Sequence, residues 1–268
     1  MVVISEMKFG FLPLKIKSKY SVFYMISFVL PVYNCSKEFS LAIPAFVHYL
    51  KARNECFELI VVDDGSKDWL STKTIAETYG CLFIKNDHNM GKGWSVKKGF
   101  SVAKGDIYIF MDGDFPFDLS TVGNIIDSMK NTSSDIVIGN RYLSASVYPN
   151  NFPLIRKIGS QMLSFFIGNF FVKGVYDTQC GIKGFKSEVA KFLFKRIRNY
   201  SYPFDVEVLF IAKKINYSII GVPVVIVDYK NSNVKILKDG LSMLGALIVI
   251  LFHNIFGNYR LNETRNNK

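Results

Sequence analysis

Asp112-Gly113-Asp114 is the string in this sequence whose residue types and spacing point most directly to chemistry. It follows the apolar run 107–111 without a gap. Two carboxylates one residue apart at a strand end can face one hard cation, and Gly113 between them permits close backbone approach. Mg²⁺ or Mn²⁺ prefers such oxygen ligands, can bridge a diphosphate, and would neutralise charge on a departing nucleoside diphosphate. The same three residues also make an ordinary acidic turn, so the spacing alone leaves both readings open.

A second acidic turn, Asp63-Asp64-Gly65-Ser66, follows the apolar run 59–62. A carboxylate there can accept hydrogen bonds from a nucleobase or a ribose. The plainer reading has Asp64 capping the next helix while Gly65 makes the turn, and the two roles are compatible. Asn89-Met90-Gly91-Lys92-Gly93 places two glycines and a lysine at a predicted helix start, where exposed amides and an ammonium attract phosphate. It is not a P-loop, because the second glycine is too close and no Ser or Thr follows Lys92; a flexible loop is the alternative. His48, His88 and His253 lack metal-like spacing and read as structural or solvent-facing.

The elements that must position these groups show as a rhythm. Short apolar runs at 26–30, 59–62, 82–84, 107–111 and 136–138 alternate with stretches of helical spacing or length. Continuous apolar runs separated by helices predict a largely parallel sheet covered on both faces, an α/β fold. Polar residues cluster just after the runs (Tyr33-Asn34, Asp63-Asp64, Asp112-Gly113-Asp114, Asn140-Arg141), and in such sheets ligands sit beyond the carboxyl ends of the strands. The rest of the composition agrees with a folded chain that meets an anion. With 268 residues, 49% of them hydrophobic, there is enough for a substantial core. Thirty-three Lys and Arg against twenty-two Asp and Glu give a net charge of +11, which suits phosphate, nucleic acid or a lipid headgroup surface. The 21% charged and 15% aromatic residues exclude a disordered chain. Cys35, Cys56, Cys81 and Cys180 stand singly, the pattern of reduced thiols in a cytosolic compartment.

Two later stretches break the rhythm. Residues 158–172 are uncharged and rich in Phe and Leu, flanked by Arg156, Lys157 and Lys173, and read as either a core helix or a membrane-facing one. Residues 240–259 are uncharged between Asp239 and Arg260, but Ser242, Gly245, His253 and Asn254 dilute them. The length would span a bilayer, yet an interfacial helix fits the dilution and the nearby basic residues better, so peripheral membrane association is expected. The expected organisation is an N-terminal appendage over 1–25, a catalytic domain over 26–235, and a membrane-associating segment with a polar tail over 236–268.

Taken in order, Val29-Leu30-Pro31-Val32-Tyr33-Asn34, Val61-Val62-Asp63-Asp64-Gly65-Ser66, the 89–93 string and Asp112-Gly113-Asp114 resemble family 2 glycosyltransferases of the GT-A fold. Asp177-Thr178-Gln179-Cys180-Gly181-Ile182-Lys183 and Phe204-Asp205-Val206-Glu207 resemble the polyprenyl-phosphate branch of that family, the dolichyl-phosphate glucosyl- and mannosyltransferases. The resemblance implies that Pro31, Tyr33, Asn34 and Asp63 hold the base and ribose, with Asp64 helping to form the pocket. It implies that Lys92, Gly93 and Gly113 also line the nucleotide-sugar site, and that Asp112 and Asp114 meet Mg²⁺ or Mn²⁺. Arg141, Arg156, Ser160 and Lys235 match positions that grip the acceptor phosphate or the donor diphosphate, Arg141 and Arg156 being catalytic with the two acids. Asp177, Gln179 and 204–207 would border the sugar and acceptor pocket. One departure is Pro116, where many relatives carry a metal-binding Gln.

The resulting expectation is an inverting, metal-dependent hexosyltransferase at the cytoplasmic face of a membrane. UDP-glucose is the favoured donor with GDP-mannose behind it, and polyprenyl phosphate is the acceptor. A lipid phosphate is already anionic at neutral pH, so its site needs cations rather than a base. The rival within the class acts on a glycan hydroxyl and needs a base such as Asp205 or Glu207. A non-catalytic nucleotide-sugar-binding adaptor is the rival outside it. A nucleic-acid binder explains the charge but not the acidic strand ends.

Overall fold

A computed structural model of the chain describes residues 24–149, 153–201, 203–227, 236–257 and 259. The expected appendage over 1–25 falls almost wholly outside these residues. Five strands stand where the apolar runs predict them: β1 (Met25–Val32), β2 (Cys56–Asp63), β3 (Leu82–Lys85), β4 (Ile107–Met111) and β5 (Ile136–Asn140). Two more, β6 (Ile182–Lys186) and β7 (Ile219–Pro223), complete a seven-stranded sheet in the order β3-β2-β1-β4-β6-β5-β7. The pairs β1–β2, β1–β4, β2–β3 and β5–β7 are parallel, while β6 runs antiparallel to both β4 and β5.

Alternation along the strands sends side chains to two cores. Val29, Ile60, Val62, Tyr108 and Phe110 enter one, and Phe28, Leu30, Leu59, Val61 and Ile109 enter the other. Helices α1 (Ser36–Ala52), α2 (Trp69–Thr78) and α4 (Leu119–Asn131) cover the second core through residues such as Phe39, Phe46, Ala76 and Ile125. The first is covered by α3 (Lys92–Val102), α5 (Leu154–Phe170), α6 (Ser187–Arg196), α7 (Phe204–Lys214) and α8 (Ile236–Ile255). Full cover on both faces is why the central strands read as unbroken apolar runs.

The two uncharged stretches form α5 and α8, which touch each other. Each buries one side, Ile167 from α5 and Met243, Leu247 and Ile250 from α8, in the same core. Among the described residues no helix is long and apolar enough to cross a membrane. The end of α8 is tied down by Tyr259, whose buried hydroxyl donates to Glu207 on α7 at 2.5 Å.

Candidate functional site

The carboxyl ends of β1, β2 and β4 form one rim of the sheet. Asp63 ends β2 fully buried, and its Oδ1 accepts from the backbone N–H groups of Gly65 and Ser66 at 3.1 and 2.9 Å. Its Oδ2 is buried and meets no donor among the described residues. An unsatisfied buried carboxylate oxygen is costly, so a ligand N–H or O–H reaching it gains binding free energy. Asn34, at φ 50°, braces the same corner: its N–H donates to Ser66 Oγ, and its Oδ1 accepts from the Lys67 N–H, both at 2.9 Å. Tyr33 beside it is 50% exposed, and the Pro31 carbonyl accepts from Gly113 N–H at 3.1 Å, tying β1 to the acidic string after β4.

Asp64 does not cap α2. Its carboxylate takes Asn86 Nδ2 at 2.8 Å and the backbone N–H groups of Met90 and Gly91 at 2.9 Å each. The second acidic turn thereby holds the glycine-lysine loop in place. Gly91 adopts φ 96°, and a Cβ there would strike the Tyr200 carbonyl, which also accepts from Gly93 N–H at 2.9 Å. The loop is thus clamped from both sides, and Lys92 emerges as the first residue of α3. Trp94 packs edge-on against Tyr200, with ring centroids 5.0 Å apart.

Lys92 Nζ lies 2.5 Å from Asp112 Oδ1. Asp112 N–H donates to the Gly181 carbonyl at 3.2 Å, so the acidic string is stitched to the start of β6. Asp114 stands exposed two residues on, and Phe115, at φ 50°, turns inward against Phe39 and Phe46. Among the described residues no group of three or more His, Cys, Asp or Glu side chains gathers to form a closed metal cage. Two carboxylates on a rim, with no third such side chain gathered among the described residues, suit instead a hard cation whose remaining ligands are diphosphate and water. Pro116, partly buried, supplies no side-chain ligand.

Behind Lys92 lies a buried ion pair. Lys183, fully buried on β6, donates to Asp205 Oδ1 at 2.7 Å and to the Cys180 carbonyl at 2.6 Å. Burial pushes the Asp205 carboxyl above its ordinary value, against the pull of Lys183 and Lys92. Glu207, also buried, is fully engaged: it accepts from the backbone N–H groups of Arg198 and Asn199 at 2.8 to 3.1 Å and from Tyr259.

Arg141 follows β5, and Asp177 holds it with three bonds. Oδ2 accepts from its backbone N–H at 2.7 Å and from Nε at 2.9 Å, and Oδ1 accepts from Nη2 at 2.7 Å. Burial disfavours the guanidinium charge, but Asp177 more than offsets this and holds its pKa well above the usual value. Asp177 is wholly buried, and it therefore orients Arg141 from behind. Gln179 is partly buried on the same segment, next to Thr178, whose buried Oγ1 meets no partner among the described residues. Ser160 donates to the Lys157 carbonyl at 3.0 Å and accepts a long bond of 3.4 Å from Tyr142, whose hydroxyl also lies 2.9 Å from Ser164 Oγ. Lys157 Nζ sits over the Tyr148 ring at 4.4 Å. Arg156 belongs to α5 but its side chain lies outside the described residues, as does Lys235 altogether. The thiols of Cys35, Cys81 and Cys180 are pushed up to about 12, first of all by burial, so none is a nucleophile at neutral pH.

Sequence reasoning assigned no role to Lys183, Gly181, Asn86 or Tyr200. Lys183 carried a signal all the same, since a lysine set among apolar residues must find an acid when it is buried.

Residues 27–194 match the family model described as Glycosyl transferase family 2, and the chain belongs to that family. A dolichyl-phosphate beta-glucosyltransferase from Trichomonas vaginalis is 32% identical over 249 residues, covering 88% of this chain and 74% of that protein. The dolichyl-phosphate beta-glucosyltransferase of Homo sapiens is 28% identical over 262 residues, covering 90% and 79%. Among solved structures, a mannosyl-3-phosphoglycerate synthase from Rubrobacter xylanophilus superposes with a TM-score of 0.66 at 18% identity over 91% of this chain and 78% of its own. A glucosyl-3-phosphoglycerate synthase from Mycobacterium tuberculosis, solved with Mn²⁺, UDP and glucosyl-3-phosphoglycerate, gives 0.61 at 17% identity over 85% and 79%. These two likenesses show the fold, the mixed α/β arrangement expected from the strand rhythm.

Proposed function

We propose that this glycosyltransferase moves glucose from UDP-glucose to dolichyl phosphate, or a related polyprenyl phosphate, with inversion at the anomeric carbon. The names of its relatives support the sugar and the acceptor. The observation that carries the reading within this chain concerns the carboxylates. Asp205 lies buried on Lys183, and Glu207 is saturated with donors, so neither is placed to take a proton from a sugar hydroxyl. An acceptor that is already an anion needs no such base.

The roles then follow from position. Asp63 receives the base or ribose on its unsatisfied oxygen, with Tyr33 and Asn34 shaping the corner. Asp112 and Asp114 would hold Mg²⁺ or Mn²⁺, which when bound would offset charge on the departing UDP. Lys92, at the start of α3, would meet that diphosphate. Asp177 uses Nε and Nη2 of Arg141, leaving the Nη1 donors of the guanidinium for a phosphate, which a fixed fork suits.

Membrane contact is proposed through α5 and α8. Ile158, Met162, Phe165, Phe166 and Phe170 form an exposed stripe on α5 at helical spacing, and Ile248, Phe252 and Ile255 on α8, with Phe256 just past its end, form a similar one. Both lie opposite the sides buried in the core, with Lys157 and Lys173 at the ends of α5 to meet anionic headgroups. A cytoplasmic-face location fits the nucleotide donor.

Labelled UDP-glucose and GDP-mannose, each offered with dolichyl phosphate and with free oligosaccharide, test the assignment. Glucose on the lipid phosphate is expected, with loss of transfer in Asp114→Ala and on chelation of divalent ions. Transfer to oligosaccharide alone, or full turnover in Asp114→Ala, would reject it.

A further inference from the structure

The protein occupies one oxygen of Asp112 and crowds the other. Oδ1 carries Lys92 Nζ at 2.5 Å, and Oδ2 lies so close to Gly181 that a Cβ there would collide with it. A divalent ion that takes Asp112 through Oδ1 must therefore displace the ammonium, because two cations at contact distance on one carboxylate oxygen repel each other unless further negative charge arrives. From that same position the ammonium also lies near two aromatic faces. Lys92 Nζ stands 5.6 Å from the Phe110 ring centroid and 6.0 Å from that of Phe204, and Asp205 feels its charge. Only the side chain has to swing, since Asp64 and Tyr200 fix the loop on either side of it.

We propose that Lys92 is a positioning residue that occupies the cation seat on Asp112 until a nucleoside diphosphate arrives, so that the divalent ion and the nucleotide bind as a linked pair. This rests on the assignment of Asp112 and Asp114 as cation ligands. The diphosphate brings the negative charge that lets both cations stay: the ammonium turns from Asp112 to a phosphate oxygen, and Oδ1 becomes open to the ion. The coupling is reciprocal, so the ion strengthens nucleotide binding by the same factor as the nucleotide strengthens ion binding.

Mn²⁺ titrated into the full chain, with free ion followed by electron paramagnetic resonance, reads this without any turnover. Wild type, Lys92→Met, Lys92→Gln and Asp112→Asn are compared with and without UDP, each checked for an unchanged circular dichroism spectrum. Without UDP, the two Lys92 variants are expected to bind Mn²⁺ about 3- to 10-fold more tightly than wild type. UDP should then enhance Mn²⁺ binding less in them than in wild type, and Asp112→Asn should show no gain. Mn²⁺ affinity that is unchanged or weaker in both folded Lys92 variants overturns the proposal. If wild type takes up no Mn²⁺ even with UDP, the cation assignment itself fails and this inference falls with it.

Discussion

Arg141 and Asp177 are joined along two parallel guanidinium–carboxylate bonds of 2.7 and 2.9 Å, and the same carboxylate also takes the arginine's own backbone N–H at 2.7 Å. The acid is entirely buried and the base only partly. Removing the base therefore strands a charge in the interior, a change that costs about 3–5 kcal/mol. Arg141→Met should lower unfolding stability by about that much, and Arg141→Lys by less, since lysine keeps the charge without the fork. Urea denaturation decides it: a loss under about 0.5 kcal/mol in Arg141→Met would mean that the pair contributes nothing to the fold.

Glu207 separates two accounts of the chemistry. If it were the base, Glu207→Gln would abolish transfer at every acceptor. Because it instead holds the 198–199 backbone and Tyr259, the variant should keep glucose transfer per folded molecule while melting lower. Tyr259→Phe loses one bond to a charged acceptor and should cost about 1.5–3 kcal/mol. Initial rates alongside melting curves are the measurement, and a dead but stable Glu207→Gln would restore the glycan-hydroxyl reading.

Acid should loosen the protein through Asp135. Burial works against its charge, but Lys186 at 2.9 Å and two bonds from Ser218 outweigh this and hold the carboxyl below the usual aspartate range. A carboxyl depressed in the folded state contributes stability above its unfolded pKa, about 3.9, and loses it as pH falls through the lower folded value. Asp118, lowered by its bonds to Ser120 at the start of α4, acts in the same direction. Stability measured by denaturant titration should thus fall below about pH 4, and Asp135→Asn should flatten that slope. An identical slope in the variant would remove Asp135 from the account.

The exposed stripes on α5 and α8 predict vesicle binding that survives high salt only in part, because apolar contact and headgroup charge both contribute. Phe165→Asp with Phe252→Asp should release most of the protein from anionic vesicles in a sedimentation assay, with no fall in melting temperature, as both side chains already face outward. Retention of the double variant on the vesicles would move the contact elsewhere on the surface.

Much of this was legible before any coordinates. The central strands show as apolar runs because both of their faces are covered, and the acidic strings at their ends show because they recur after successive runs. β6 escapes because Ile182-Lys183-Gly184-Phe185-Lys186 breaks the apolar pattern with a lysine that turns out to be buried. A single chain of letters does not reveal that Asp205, twenty-two positions later, neutralises it. β7 is partly exposed and offers no sharp run. The same limit applies within the site. The acids of 63–64 and 112–114 are visible, but not that Asp64 anchors the glycine loop or that Lys92 leans on Asp112, since both depend on how three strand ends converge.

The reversal of β6 carries a consequence for how such enzymes diversify. β5 and β6 are sheet neighbours running in opposite directions, so residues 141–181 leave the sheet and rejoin it almost where they departed. Arg141, α5 and Asp177 all ride on this one swollen hairpin, whereas Asp63, Lys92 and Asp112 belong to the parallel half. On the roles proposed above, lengthening or trading the excursion ahead of Asp177 would re-tailor what receives the sugar while leaving the Gly181 contact to Asp112 in place.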